Sequence, residues 1–293
     1  MLSNLNYQSS QLALKELLNL HSKYLQASLN VEFSSASIEV RCLLQAALQV
    51  NHAYLLSHPE YQLSSEQHER YSAFFERRLK GEPAAYILGK REFFGLSFKV
   101  TPATLIPRPD TELLVELALQ RIPQQGECRI LDLGTGSGAI ALSIAHERPN
   151  TEVVAVDASQ AALEIAQLNV QQLNLTNVEL LHSDWFAALQ GERFDVIVSN
   201  PPYIAAGDVH LTQGDLRFEP PTALSSGADG LADIRHLCAH AKFYLNAQGW
   251  LLLEHGYNQA ESVRALLHQA GFDEVFTKND LAGIARVSGG KYS

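Results

Sequence analysis

Asp132-Leu133-Gly134-Thr135-Gly136-Ser137-Gly138-Ala139 joins the apolar run Arg129 to Leu133 to a second apolar stretch, Ala139 to His146. The first run has the length of a buried strand, and the second has helical spacing. Glycines between them let the backbone approach a ligand without Cβ collisions, and the helix amino terminus presents free N–H donors. The next strand-like run, Glu152 to Val156, is followed by Asp157. That spacing suits a carboxylate accepting ribose hydroxyls, while Asp157 could instead cap a helix opening near Ser159. Gly134-x-Gly136-x-x-Ala139 also satisfies the dinucleotide fingerprint, so NAD and S-adenosylmethionine both fit at this point. Asp132 favours the latter, since a carboxylate at the strand end suits a methionine ammonium.

Working outward, strand-like runs recur at Val178 to His182, Phe194 to Ser199, Trp250 to Glu254, Glu274 to Thr277 and Ile284 to Ser288. Helical patterns fall at Asp110 to Arg121, Gln160 to Gln172, Leu231 to Leu245 and Gln259 to Ala270. This alternation predicts a parallel sheet covered on both faces, with ligands beyond the carboxyl ends of its strands. Upstream, Leu12 to about Lys80 reads as short helices, with a capping box at Ser64 and Gln67. Tyr86-Ile87-Leu88-Gly89 and Phe93-Phe94-Gly95-Leu96 read as short extended pieces of a hairpin linker. The expected division is a helical domain over 1–85, a β-hairpin linker over 86–105 and an α/β domain over 106–293.

The 293 residues are 46% hydrophobic and 18% charged, a globular composition that excludes disordered and collagenous classes. The formal charge is -10, and residues 106–293 carry 23 Asp and Glu against 12 Lys and Arg. That surface repels phosphate backbones, which counts against a nucleic-acid substrate. Arg77, Arg78, Lys80, Lys90 and Arg91 read as a solvated face. Cys42, Cys128 and Cys238 have neither disulfide nor zinc spacing, so no metal site is expected. Met1 to Asn4 does not open a leader and no run is long enough to span a membrane, so the expected location is cytoplasmic.

At the end of the third strand, Asp184 and Trp185, with Phe186, could hold adenine. Asn200-Pro201-Pro202-Tyr203 directly follows Val196-Ile197-Val198. Two prolines stiffen the backbone and donate nothing, leaving the Pro201 carbonyl and the Asn200 side-chain oxygen as acceptors for an incoming NH2 group. Tyr203 supplies a flat face. Gripping both N–H bonds of a planar nitrogen aims its lone pair at an electrophilic methyl, a positional contribution to catalysis that requires no strong base. Pro-Pro also marks ordinary strand-exit turns, but after the fourth strand of such a sheet the functional reading is the stronger.

On these residues the sequence resembles the class I S-adenosylmethionine-dependent methyltransferases, and more closely the peptide chain release factor glutamine methyltransferases of the PrmC (HemK) family. The likeness includes Gly81-Glu82-Pro83-Ala84-Ala85-Tyr86-Ile87-Leu88-Gly89, Pro107-Arg108-Pro109-Asp110-Thr111-Glu112, Ser183-Asp184-Trp185-Phe186 and Phe218-Glu219-Pro220-Pro221-Thr222-Ala223-Leu224. It implies a Rossmann-like, seven-stranded methyltransferase domain preceded by a small helical domain and a hairpin. It also implies methylation of the glutamine amide nitrogen in the Gly-Gly-Gln motif of release factors, the protein partners, with S-adenosylmethionine leaving as S-adenosylhomocysteine. By the same resemblance Gly134, Thr135, Gly136, Ser137 and Gly138 line the cofactor, Asp157 holds its ribose, Trp185 contacts its adenosine part, and Asn200 to Tyr203 hold the glutamine. Asp132, Asp184 and Asn200 complete the expected cofactor set, while Asn200, Pro201 and Tyr203 are the expected catalytic residues. Arg108 and Glu112 are candidates for shaping the glutamine pocket, and Glu254, His182 and His255 are expected to be structural. The alternatives are an N-methyltransferase acting on an exocyclic amine of adenine or guanine, an NAD-dependent oxidoreductase, and a silent cofactor-binding adaptor.

Overall fold

A computed structural model describes residues 12–293, so the opening Met1 to Asn4 stretch lies outside the described residues. The chain divides into two compact units, one ending at Gly89 and one running from Lys90 to Ser293. The smaller unit is helical, with α1 (Leu14–Leu29), α2 (Phe33–Leu48), α3 (His52–Ser57), α4 (Ser65–Leu79) and α5 (Ala84–Leu88). Its buried core joins Leu17, Leu25, Val40, Leu43, Leu44 and Tyr71. Asn30 and Gln49 end α1 and α2 in the left-handed conformation. The Ser64 hydroxyl accepts from the Gln67 amide at 3.3 Å and the Gln67 side chain accepts from the Ser64 amide at 3.0 Å, so the expected capping box starts α4.

Two expectations for this region need correction. Tyr86 to Leu88 is not extended but lies in α5, a single turn held between Pro83 and the left-handed Gly89. So short an apolar run does not reveal its period, and burial of Tyr86 and Ile87 selects the turn. Arg78 does not belong to a solvated face. It is 3% exposed and its Nε donates to Glu39 at 2.5 Å, because a guanidinium enters an apolar interior only with a carboxylate partner.

The larger unit begins with the antiparallel pair β1 (Lys90–Phe93) and β2 (Leu96–Lys99), whose turn residues Phe94 and Gly95 both have positive φ. The Phe94 amide donates to Glu112 at 2.9 Å, so Glu112 supports this turn. Then follow α6 (Glu112–Leu119), β3 (Arg129–Leu133), α7 (Ala139–Glu147), β4 (Glu152–Asp157), α8 (Gln160–Leu173), β5 (Val178–His182), β6 (Phe194–Ser199), α9 (Ala232–His240), β7 (Leu245–Glu254), α10 (Ala260–Ala270), β8 (Asp273–Asn279) and β9 (Ala285–Lys291). The last seven strands form one sheet in the order β5-β4-β3-β6-β7-β9-β8. β9 alone runs against the others, so the sheet is mixed and not wholly parallel. It enters between β7 and β8 because Gly289 and Gly290 leave room: a Cβ on Gly289 would lie 2.6 Å from Leu252. The helical pattern Leu231 to Leu245 gives way earlier than expected: α9 stops at His240, a 3-10 turn follows at Ala241–Phe243, and β7 already starts at Leu245.

The central strands are apolar on both faces, as a doubly covered sheet demands. One face packs Leu114, Val115, Ile140 and Ile144 of α6 and α7, and the other Ile234, Leu237, Val263 and Leu267 of α9 and α10. Cys128 and Cys238 are buried in these layers as free thiols, and burial pushes both up to about 12. The chain starts the sheet at β3, builds outward to β5, then returns to place β6 on the other side of β3. The carboxyl ends of β3 and β6 therefore flank the topological switch point.

Candidate active site

The glycine loop leaves β3 at this switch point. The amides of Gly134 and Thr135 both donate to the Val156 carbonyl at 2.9 Å, curling the loop over the end of β4. Gly134, Gly136 and Gly138 have φ of 75°, 57° and 85°, conformations that side-chain-bearing residues rarely adopt. A Cβ on Gly138 would lie 3.0 Å from Leu142, so this glycine also lets α7 start close to the loop. Asp132 is fully buried. Its Oδ2 accepts from the Thr135 hydroxyl at 2.6 Å, while Oδ1 has no hydrogen-bond partner among the described residues. Burial pushes its carboxyl up to about 7 despite the opposing hydrogen bonds from Thr135 and the Ala141 backbone.

Asp157 ends β4 with each carboxylate oxygen held once. Oδ2 accepts from the Gly136 amide and Oδ1 from the Ser159 amide, both at 2.8 Å. It thus braces the glycine loop and the entry to α8, whose cap is Ser159 itself. Each oxygen keeps a second lone pair for a hydroxyl donor. Trp185 has φ of 47°, and its carbonyl accepts from the Ser183 hydroxyl at 2.8 Å. Its ring would lie 3.5 Å from a Cβ on Gly134, so the indole lies along the glycine loop. The neighbouring Phe186 is core, stacked on Tyr244 at 4.5 Å between ring centroids.

A cavity of about 440 Å³ opens here, with Gly134, Gly136, Asp157, Asp184, Trp185 and Asn200 in its wall. Pro202, Pro220 and Thr222 close the acceptor side. Asp132, Thr135, Ser137, Gly138, Pro201 and Tyr203 are not among the residues that line the cavity. Ser137 is buried, and its carbonyl accepts from Asn169 at 2.8 Å. The loop suits an adenosyl ligand: its first glycine makes room for an indole, and its Gly136 amide is held by a carboxylate at the end of the next strand.

The acceptor loop leaves β6 beside the glycine loop. Asn200 donates through Nδ2 to the Thr111 hydroxyl at 3.3 Å, and the Tyr203 hydroxyl donates to Glu254 at 3.4 Å. The Tyr203 carbonyl accepts from Gln259 Nε2 at 3.0 Å, and a Cβ on Gly230 would fall 2.3 Å from that carbonyl oxygen. Glu254 is 1% exposed; burial pushes its carboxyl up to about 7, with Thr111, Arg286 and Tyr203 pulling the other way. Glu219, equally hidden, accepts from the Ile106 amide at 3.0 Å and pairs with Arg108. Burial raises its carboxyl, and the Arg108 charge is the largest opposing influence. The Ile106 to Thr111 and Glu219 to Thr222 segments, far apart in the chain, are thus joined around the acceptor loop. Thr111, Gly230 and Gln259 are additions to the expected set, and Glu254 takes part in the acceptor-side network. A carboxylate closing Leu251-Leu252-Leu253 is the available signal for Glu254; Thr111 lies in the Pro107 to Glu112 stretch that carries the resemblance but without a role of its own, and nothing in the local sequence marks Gly230 or Gln259.

Among the described residues, no group of side chains is arranged to hold a metal ion, and no helix is long and apolar enough to cross a membrane. Residues 16–89 match the family model described as PrmC N-terminal domain, and residues 110–218 that described as Methyltransferase small domain. The 16S rRNA N2 G1207 methyltransferase (RsmC) of T. thermophilus, solved with AdoMet and guanosine, aligns over 70% of this chain and 50% of its own, with 25% identity and a TM-score of 0.52. The release factor glutamine methyltransferase of Xylella fastidiosa strain 9a5c is 51% identical over 254 residues, 87% of this chain and 92% of its own. That of Escherichia coli K12 is 49% identical over 87% of this chain and 91% of its own. With identity of that order running through both units, the chain belongs to the release factor glutamine methyltransferase family.

Proposed function

We propose that this protein transfers a methyl group from S-adenosylmethionine to the side-chain amide nitrogen of the glutamine in the Gly-Gly-Gln motif of peptide chain release factors. One observation carries the reading: Asn200, an amide-accepting side chain, shares a cavity wall with Gly134, Gly136 and Asp157. In this reading Gly134 to Gly138 take the methionine side of the methyl donor, Asp157 the ribose hydroxyls, and Asp184 and Trp185 the adenosine part. S-adenosylmethionine supplies a methyl on positively charged sulfur. Asn200 Oδ1 and the Pro201 carbonyl accept the two N–H bonds of the glutamine amide and turn its lone pair toward that methyl, while Pro202 bounds the pocket. The nitrogen's proton becomes acidic as the new bond forms and leaves to water. The helical unit helps to hold the protein substrate, and a cytoplasmic location, where translation factors work, belongs to the same reading.

The test is incubation of the enzyme with methyl-labelled S-adenosylmethionine and a purified bacterial release factor, followed by peptide mass spectrometry. Label on the Gly-Gly-Gln glutamine is expected; none there refutes the proposal, and label in added DNA or RNA supports the nucleobase rival. Asn200→Ala is expected to lower kcat far more than affinity for S-adenosylmethionine measured by calorimetry.

A further inference from the structure

The acceptor corner is hard to anchor from within. Pro201 and Pro202 have no N–H with which to tie it down, and the Pro201 carbonyl is needed for the incoming amide. The corner must therefore be fixed from its ends. Upstream, the Ser199 hydroxyl donates to the Leu133 carbonyl at 2.7 Å. Downstream, the Tyr203 carbonyl is held by a side chain from another part of the sheet. Resting on the function proposed above, we propose that Gln259 is the positioning residue that fixes the downstream end of this corner, and with it the aim of the substrate amide.

Gln259 stands just before α10 and is buried, so water offers its carboxamide little competition. Both ends of that group have protein partners. Nε2 donates to the Tyr203 carbonyl at 3.0 Å and to the Gly230 carbonyl at 3.3 Å, which accounts for both of its hydrogens. Oε1 accepts from the Gly256 amide at 2.8 Å. These partners settle the orientation, because a flipped group would set oxygen against two carbonyls and NH2 against an N–H. Two glycines keep the space it needs: a Cβ on Gly230 would lie 2.9 Å from Nε2, and one on Gly256 3.0 Å from Oε1. Gln259 is itself backed by the sheet. The buried His255 ring bridges the Gly256 carbonyl at 2.9 Å and the Ser288 hydroxyl at 2.8 Å, and the His255 amide donates to the Arg286 carbonyl at 2.9 Å. A path of hydrogen bonds thus runs from β9 through Gly256 to Gln259 and on to Tyr203. The same connection between β7 and α10 begins at Glu254, which accepts from the Tyr203 hydroxyl at 3.4 Å. Tyr203 is therefore held at its carbonyl and at its hydroxyl by one short segment.

The test uses the full-length enzyme, S-adenosylmethionine and a purified release factor. Gln259→Met keeps the length of the side chain and removes its hydrogen bonds to Tyr203, Gly230 and Gly256. It is expected to lose kcat by about 10- to 100-fold, with affinity for the methyl donor within about threefold of wild type. Gln259→Glu keeps the acceptor for the Gly256 amide. Ionised, it sets a charge against two carbonyls; protonated, its O–H can donate to Tyr203. Its kcat relative to wild type should therefore rise severalfold as pH falls from about 8.5 to about 6.5, while the ratio for Gln259→Met stays level. Glu254, His255 and Arg286 are the same in both variants, so the methionine variant is the control for their titration. A packing role alone lowers thermal stability and leaves the kcat of the folded enzyme and its pH profile unmoved. Should Gln259→Met not fold, the pH profile of Gln259→Glu against wild type carries the test. Wild-type kcat in Gln259→Met, affinity for the methyl donor falling in step with kcat, or a ratio for Gln259→Glu that stays flat with pH overturns the inference. The functional reading beneath it is tested on wild type alone: an enzyme that binds S-adenosylmethionine yet leaves release factor unlabelled overturns that reading, and this inference with it.

Discussion

The Ser199 hydroxyl donates to the Leu133 carbonyl at 2.7 Å, pinning together the ends of β6 and β3 one residue before the acceptor loop and the glycine loop depart. Leu133 and Ser199 are also register partners in the sheet. The two loops therefore meet because they leave adjacent strands at the same level, not because of contacts between their side chains. Ser199→Ala removes this bond and strands a buried carbonyl lone pair, so unfolding free energy should fall by about 1–3 kcal/mol. Urea denaturation reads the change; an unaltered midpoint at constant m-value would mean that the strand ends hold without the hydroxyl.

Asp157 braces the glycine loop, and in the proposed function it also accepts the ribose hydroxyls. Its carboxylate ties the Gly136 amide to the Ser159 amide, and the residue lines the cavity. Asp157→Ala should weaken binding of S-adenosylmethionine by roughly tenfold or more, the value of one or two hydrogen bonds to a charged acceptor. At saturating cofactor, kcat should be much less affected. Calorimetry beside steady-state kinetics separates these, and an unchanged dissociation constant would remove Asp157 from the cofactor site.

The outline of this fold is legible in the sequence because its central strands announce themselves. Leu131, Val154, Ile197 and Leu251 sit in apolar runs that only a doubly covered sheet can hide. The antiparallel course of β9 is not legible, since strand direction depends on partners, and the permissive feature is the space left by Gly289. At the site, Gly134 and Asn200 belong to local motifs with chemistry of their own. Thr111, Gly230 and Gln259 have no such chemistry of their own: they act on Asn200 or Tyr203 from 89, 27 and 56 positions away, through contacts that exist only after folding. Arg78 shows the same limit in reverse, as a basic run gives no sign of which member finds a carboxylate inside.

Gly230 sits against the Tyr203 carbonyl with φ of 74° and no room for a methyl group. Gly230→Ala imposes a left-handed alanine, costing about 1–2 kcal/mol, and drives its Cβ into the acceptor loop. Relief comes by moving Tyr203, so kcat should fall at least tenfold while affinity for S-adenosylmethionine stays near wild type. Equal loss of both would show that the whole site, and not the acceptor corner, had shifted.

Asp132 gives the stability of the protein a pH dependence whose sign follows from burial. Its pKa is raised from 3.8 to about 7 in the fold, chiefly by desolvation. Between those values the folded state holds a proton that the unfolded chain has released. Stability therefore falls as pH rises through this window, by up to about 1.4 kcal/mol per pH unit for this one group. Below about pH 4 both states are protonated and above about pH 7 both are ionised, so the contribution is flat outside it. Asp132→Asn cannot titrate, and its amide oxygen can still accept from Thr135. Glu254 titrates in the same sense in both proteins, so the difference between the two curves isolates Asp132. Denaturation at pH 5 and pH 8 should show wild type losing more stability than the variant across that interval. Parallel curves would mean that Asp132 stays ionised in the fold throughout, with its unpartnered Oδ1 satisfied by water.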